Sequence, residues 1–512
     1  MDLAFVNVSL LGCPDQGDSD AVGIKNGEIS IIGKEKDVMD RCDSSTKVIN
    51  GDSGTLIPGF NDAHTHFASM GVKMSEYLDL GTVPSKQELL DRVEKEAKEK
   101  RDGAWVVGVN WDESKWSGDR EFMKKDEIDR VSPNNPVSLE RVDGHITCVN
   151  SPALEKIDID PSMQGYEMED GEPTGRLMEE AVNKVRDVIE PSVEGIKRGL
   201  KVAAEKAHSL GVTSIHDAHV NKRKFEAYQS LWRSEELPIR ANLYFDHELL
   251  TDLGDLGLRT GFGDDKLSVG GLKLFTDGSI GAKTAWVTNG YLDDRDNLGM
   301  SIWEPEELRE LMGKAHHNGL QLAVHAIGDR AVSEFIKGME EILSEEEGNH
   351  LRHRIEHCEM ISNQDVTRLK ELDIIASMQP NFIGEWSLPG GMYEDRFSGE
   401  QVEILDPLGW MADKDVTIAL GSDCMPFDPL YGIHSAVNTP HEAQRLSPEQ
   451  AIKFYTSGPA YAEFMESKKG SIRQGALADL TLLNGNPTEE PEEIESLEPV
   501  VTVLDGKVVF QK

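Results

Sequence analysis

His64 and His66 stand two residues apart at the end of an apolar run, TLIPGFNDAHTH. In a strand that spacing puts both imidazoles on one face, with Cα atoms roughly 7 Å apart, so both can converge on one cation. A single pair of this kind arises often by chance. Four more residues of suitable chemistry follow apolar runs elsewhere: Lys273 in GGLKLF, His325 in LQLAVH, His357 in RHRIEH and Asp423 in TIALGSD. Nitrogen and carboxylate donors of this sort hold divalent metals, and such metals activate water for hydrolysis.

Each residue also has a plainer reading. A strand histidine is commonly bonded to backbone, Lys273 could pair with Asp277, and Asp423 could cap a helix through the Gly-Ser-Asp turn. His353 is expected deeper along its strand as a structural group, and Cys358 and Cys424 point to the opposite face from the neighbouring ligands.

What would bring these positions together is a parallel barrel, whose strands all deliver their C-terminal ends to one rim. Eight candidate strands can be read in order: TLIPGFNDAHTH, GVTSIHD, PIRANLY, GGLKLF, LQLAVH, RHRIEH, DIIASMQ and DVTIALGSD. Amphipathic helices alternate with them, and VEGIKRGLKVAAEKAHSLG and EPEELRELMGKAHHNG each close on a glycine, Gly211 and Gly319, suited to a C-terminal cap. The pattern predicts an α/β fold, a TIM-like (β/α)8 barrel over residues 57–465. Both chain ends alternate apolar and polar residues around hairpin signals at Asn26-Gly27 and Asp505-Gly506, predicting one small composite β-sandwich domain from 1–56 and 466–512. The stretch between the first two barrel strands far exceeds a usual loop, so residues 75–200 are expected to form an inserted subdomain. An insert after a barrel strand should overhang the catalytic rim.

PGFNDAHTH, GLKLFTDGSIGAKTA, HAIGDRA, RIEHCE, the Gln379-Pro380 region, GSDCMPFDPL and GSIRQGALADL, taken as a series, resemble the amidohydrolase superfamily. The likeness extends over essentially the whole chain and points to the amidohydrolase 3 branch, which includes N-substituted formamide deformylases. It implies two divalent metal ions, with His64, His66 and Asp423 on one, His325 and His357 on the second, and a carboxylated Lys273 bridging them. Carboxylation makes chemical sense, because an ammonium has no acceptor and would repel the cations. Zinc suits these donors, with manganese, iron and cobalt as alternatives. The implied activity is hydrolysis of a non-peptide C–N bond, such as that of an N-substituted formamide, by metal-activated hydroxide, with Asp423 as the catalytic proton shuttle.

Cyclic amide or carbamate hydrolysis remains open, as do deamination of an amino-heterocycle by a single metal and a non-catalytic metal-binding barrel. Deaminases of the superfamily usually carry a glutamate three residues after the fifth-strand histidine, where this chain has Gly328. Trp111, Asp112, His145, Asp329 and Gln379 are candidate substrate-binding residues, from their expected placement at the active face.

Composition narrows the partners. The 512 residues carry 93 acidic and 53 basic side chains, a formal charge of −40, which repels nucleic acid and anionic membranes. A small-molecule substrate is expected, and a homo-oligomer stays open. Life in concentrated salt is one cause of such acidity, since a Debye length near 3 Å at about 1 M removes most self-repulsion. No run of about 18 apolar residues occurs. Five scattered cysteines form neither a disulfide framework nor a metal knuckle, so a reducing cytoplasm is the expected location.

Overall fold

Parallel strands buried on both faces lose polar alternation and read as short aliphatic runs, which is how the central segments of this chain read. The computed structural model describes residues 1–14, 17–142, 146–163, 165–178, 180–189, 191–344 and 348–512. Eight of its strands form one parallel sheet: β1 (Phe60–Thr65), β2 (Val212–Val220), β3 (Arg240–Asp246), β4 (Leu267–Phe275), β5 (Gln321–Ala326), β6 (Arg354–His357), β7 (Ile375–Met378) and β8 (Ile418–Leu420). Each pairs with the next in chain order. Between β8 and β1 the loop after β8 closes the ring. Asp423 N donates to the His64 carbonyl at 2.8 Å, and Ser422 N donates to Asp62 at 2.9 Å. The result is a nearly closed TIM-like barrel.

Helices on the outside follow from capping as well as from periodicity. α1 (Val193–Ser209) and α2 (Pro305–His317) are each followed by a glycine with positive φ, Gly211 at 76° and Gly319 at 71°. Only glycine takes that conformation without steric cost.

The first barrel run is two strands rather than one. Thr55–Pro58 belongs to a five-stranded sheet with the C-terminal strands, and the barrel begins only at Phe60. Pro58 lacks an N–H for a continuing ladder. A side chain at Gly59 would lie 2.4 Å from Thr213, so the crossing between sheets needs glycine there. Leu480–Leu483 pairs antiparallel with both Thr55–Pro58 and Pro499–Leu504. Leu3, Phe5, Val22 and Ile24 from one chain end share a buried core with Leu480, Leu482, Val501 and Val503 from the other.

Met1–Ala68 and Ala203–Lys512 make one compact unit, and Ser69–Val202 makes a second. The second unit has its own six-stranded sheet and a helix, Lys86–Glu99, whose Leu89 and Val93 pack with Trp111, Trp116 and Leu139. Among the described residues no helix is long and apolar enough to cross a membrane.

Candidate metal centre

The barrel collects the sequence-predicted ligands at one end. His64 Nε2 lies 3.8 Å from Asp423 Oδ1 and His66 Nε2 lies 3.2 Å from it. One donor atom from each of these three residues falls within 4.8 Å of the others. The His357 ring is 4.9 Å from that of His64 and 4.5 Å from that of His325, measured between centroids. Lys273 is buried, with its Nζ 4.7 Å above the Phe275 ring.

Three polar atoms here are buried without a hydrogen-bond partner: His64 Nε2, Lys273 Nζ and Asp423 Oδ1. An unpartnered buried polar group costs roughly 1–3 kcal/mol, so the cluster is unfinished as a purely protein structure. Its donor set of imidazole nitrogen and carboxylate oxygen fits a divalent transition metal or zinc.

The other ring nitrogen of each histidine is already engaged. His64 Nδ1 contacts Glu356, His66 Nδ1 is 3.3 Å from the Ala218 carbonyl, His325 Nε2 is 3.0 Å from the Gly278 carbonyl, and His357 Nδ1 is 2.6 Å from Gln379 Oε1. An acceptor on one nitrogen fixes the proton there and leaves the opposite lone pair free to ligate. The four tautomers are therefore set by the protein. His357 and Asp423 hold positive φ, 68° and 51°, an uncommon conformation for side-chain-bearing residues that recurs at functional sites.

Electrostatics agree with that arrangement. Burial, then the charge of Lys273, pushes His64 down to about 4. Burial likewise holds His66 and His357 well below the usual histidine range, so all three are neutral at pH 7. Burial also pushes Lys273 down to about 8 against the carboxylates of Glu356 and Asp423, and pushes Asp423 up to about 7 against Lys273.

Comparison with known proteins gives this rim a lineage. The sequence profile of the amidohydrolase family matches residues 47–510. This chain belongs to the amidohydrolase family. It is 29 % identical to the putative amidohydrolase YtcJ of Bacillus subtilis strain 168, over 97 % of each chain. It is 26 % identical to the N-substituted formamide deformylase of Arthrobacter pascens, over 100 % of this chain and 98 % of that one. A metal-dependent hydrolase from Pyrococcus furiosus superposes with a TM-score of 0.83 at 27 % identity, covering 95 % of this chain and all of its own. The chain is thus a hydrolase of a family whose structural neighbours are metal-dependent.

Several residues of this amidohydrolase matter more than their sequence context indicated. Glu356, fully buried, orients His64. Burial would raise its carboxyl, but the charge of Arg354 and the hydrogen bond from His64 hold it well below the usual range, so it stays ionised. Asp62 accepts from Ser422 and from His64 N, tying β1 to the loop that carries Asp423. Asp277 accepts from the backbone of Trp286, Ile327 and Gly328 and lies 3.4 Å from His325 Nε2. Among the described residues it forms no ion pair with Lys273. His353 is buried behind the rim, accepting from Leu322 N at 2.9 Å, in keeping with a structural role.

The candidate substrate residues fare differently. Trp111 is in the core of the second unit, where its Nε1 donates to the Leu139 carbonyl at 2.8 Å and its ring packs on Trp116 and Phe122. Asp112 caps the short helix Glu113–Lys115 through Ser114 N. Both serve the insert's own fold: a large aromatic gains most by full burial, and an Asp before a helix is a natural cap. Gln379 is buried and committed to His357. Asp329 opens helix α3 (Asp329–Leu343) and accepts from Thr288 N at 2.8 Å. His145 lies outside the described residues.

Proposed function

We propose that this amidohydrolase cleaves a non-peptide C–N bond of a small amide, with an N-substituted formamide as one candidate substrate. The observation that carries the reading is the convergence of His64 Nε2, Lys273 Nζ and Asp423 Oδ1, all buried and unpartnered, among four imidazoles with assigned lone pairs. In this reading His64, His66 and Asp423 would hold one divalent ion and His325 and His357 a second, Lys273 would serve both once carboxylated, and zinc is the favoured metal. Such ions, when bound, polarise a carbonyl and bring the pKa of water down toward about 7.

The chain's own groups supply the rest. Asp423 is the carboxylate at the centre, with Oδ1 beside His64 and His66, and is placed to take a proton from attacking water and pass it to the leaving nitrogen. Lys273, near 8, has a substantial neutral fraction at mildly alkaline pH. The neutral amine is the form that adds carbon dioxide, releasing a proton as the carbamate forms. Asp62 and Glu356 hold Asp423 and His64 in place.

The deaminase alternative loses support at Gly328. A Cβ there would lie 2.1 Å from the Trp286 carbonyl oxygen, so the backbone excludes any side chain at the position where those enzymes use a glutamate.

The test is amine release from a panel of N-substituted formamides and simple N-acyl amines by metal-loaded protein, beside an Asp423→Asn control. Loss of a general acid–base group typically costs about 10²–10⁴-fold. Turnover that falls by this much in the control supports the reading. Silence across the panel from folded, metal-bound protein rejects acyclic amides as substrates and favours cyclic amides, carbamates or a binding role.

A further inference from the structure

Five of the eight barrel strand ends carry the candidate ligands, and the residue after β7, Gln379, orients His357. The two that remain, β2 and β3, end in His219 and Asp246. His219 Nδ1 lies 3.2 Å from Asp246 Oδ1, and Asp246 Oδ1 is buried without a formal hydrogen-bond partner. The ladder between β2 and β3 slips between Asp217 and Val220, and His219 sits in that irregularity with φ of 61°. Irregularities of this kind re-aim a side chain next to an active site.

The position is at the level of the centre. Asp246 is in register with Lys273 on β4. The His219 ring meets the Phe275 ring edge-on at 5.7 Å, and that same Phe275 ring is 5.3 Å from His325. Unlike the ligand histidines, His219 is half exposed, its side chain at 52 %. It is neither a core residue nor a ligand by any contact in the structure.

A carboxylate facing Nδ1 places the ring proton there and leaves Nε2 as an acceptor. Burial pushes His219 down from the usual histidine range, with Asp246 opposing. An acceptor at the mouth of the centre calls for a donor on the substrate. A secondary amide has one N–H, and a tertiary amide has none.

We propose that His219, oriented by Asp246, receives the N–H of the substrate amide and so selects N-monosubstituted over N,N-disubstituted amides. The proposal rests on the amide-hydrolase reading above. His219 is then a substrate-binding residue and Asp246 a positioning residue behind it.

The experiment compares kcat/KM for N-butylformamide and N-butyl-N-methylformamide in metal-loaded wild type, His219→Ala, His219→Gln and Asp246→Asn. A site built to pair a substrate N–H rejects the analogue that lacks it, through the acceptor left unpaired. The expected result is a collapse of the secondary-over-tertiary preference by at least about tenfold in His219→Ala, through a loss on the secondary amide, a gain on the tertiary one, or both, with melting temperature and metal content preserved. His219→Gln, which keeps an acceptor, should recover part of the preference, and Asp246→Asn should weaken it. A preference ratio that His219→Ala leaves unchanged, whether or not both rates fall, overturns the assignment while the amide reading stands. Wild type that cleaves neither amide overturns the assignment, and silence across the wider panel of N-acyl amines overturns the amide reading as well.

Discussion

The rim of the barrel and the interior just beneath it are both built from charged and polar side chains, yet they are finished to different degrees. At the rim, His64 Nε2, Lys273 Nζ and Asp423 Oδ1 have no partner. One layer down, Arg354 reaches both oxygens of Glu356, His216 Nδ1 at 2.9 Å, Tyr244 Oη at 3.3 Å, the Ala63 carbonyl at 2.6 Å and Ser377 Oγ at 2.6 Å. It thereby ties β1, β2, β3, β6 and β7 together. Lower still, Glu463 lies 2.6 Å from Lys469 and 3.5 Å from His216. The contrast is that the charged groups of the interior are paired within the chain and serve the frame, whereas at the rim three ligand-competent atoms at strand ends are left unpaired together. The two are joined by Glu356, which Arg354 holds from below and which itself holds His64.

Removing a member of the interior should therefore unfold the protein, whereas changing the rim should alter metal binding and turnover. The largest expected effect is on Arg354→Met, which leaves Glu356 buried and unpaired. Breaking a buried pair in this way costs about 3–5 kcal/mol. Denaturant unfolding at fixed salt checks it, and a near-neutral result would mean that Glu356 is not ionised in the folded state.

A smaller effect is expected with pH. Burial would raise the carboxyl of Glu463, but Lys469 and His216 bring it down to about 2. A folded-state value below the unfolded one gives stability that is present above about 4.5 and drains away as pH falls through that value toward 2. The loss should be on the order of 3 kcal/mol, from about 2.5 pH units at 1.36 kcal/mol each. Glu463→Gln should flatten this acid limb of the stability curve. An unchanged limb in the variant would assign the acid sensitivity to other carboxylates.

Least drastic should be Gln379→Ala, which frees His357 Nδ1 without touching a ligand. Loss of a group that orients a metal-binding histidine typically costs about 10–100-fold in affinity. Chelator competition measures it, with stability within about 1 kcal/mol of wild type because the glutamine makes few other bonds. Equal loss of stability and affinity would place Gln379 with the frame instead of the rim.

How much of this could be read in the sequence follows from where each partner lies. Barrel strands were legible because burial on both faces makes them plain aliphatic runs, and their ends were legible because His, Lys and Asp interrupt those runs abruptly. Glu356 was not, since its partner His64 is 292 residues away and only ring closure brings them together. A charged residue inside a strand looks the same whether it faces water or a salt bridge. Trp111 was misread for a related reason: an aromatic in an insert has the same sequence context in a pocket wall as in a core. The break at Pro58-Gly59 was visible as two residues unsuited to a continuous strand, but the strand pattern on either side outweighed them. His219 escaped notice because a strand irregularity, not periodicity, sets its direction.

The most direct measurement of the central claim is the metal content and affinity of the purified protein after chelation and reconstitution with zinc, beside His64→Asn and Asp423→Asn. The expected result is tight binding of two ions per wild-type chain, with weakened binding in both variants and their folding intact. Folded wild-type protein that retains no divalent ion, or variants that bind it as well as wild type, would contradict the assignment of the rim as a metal centre.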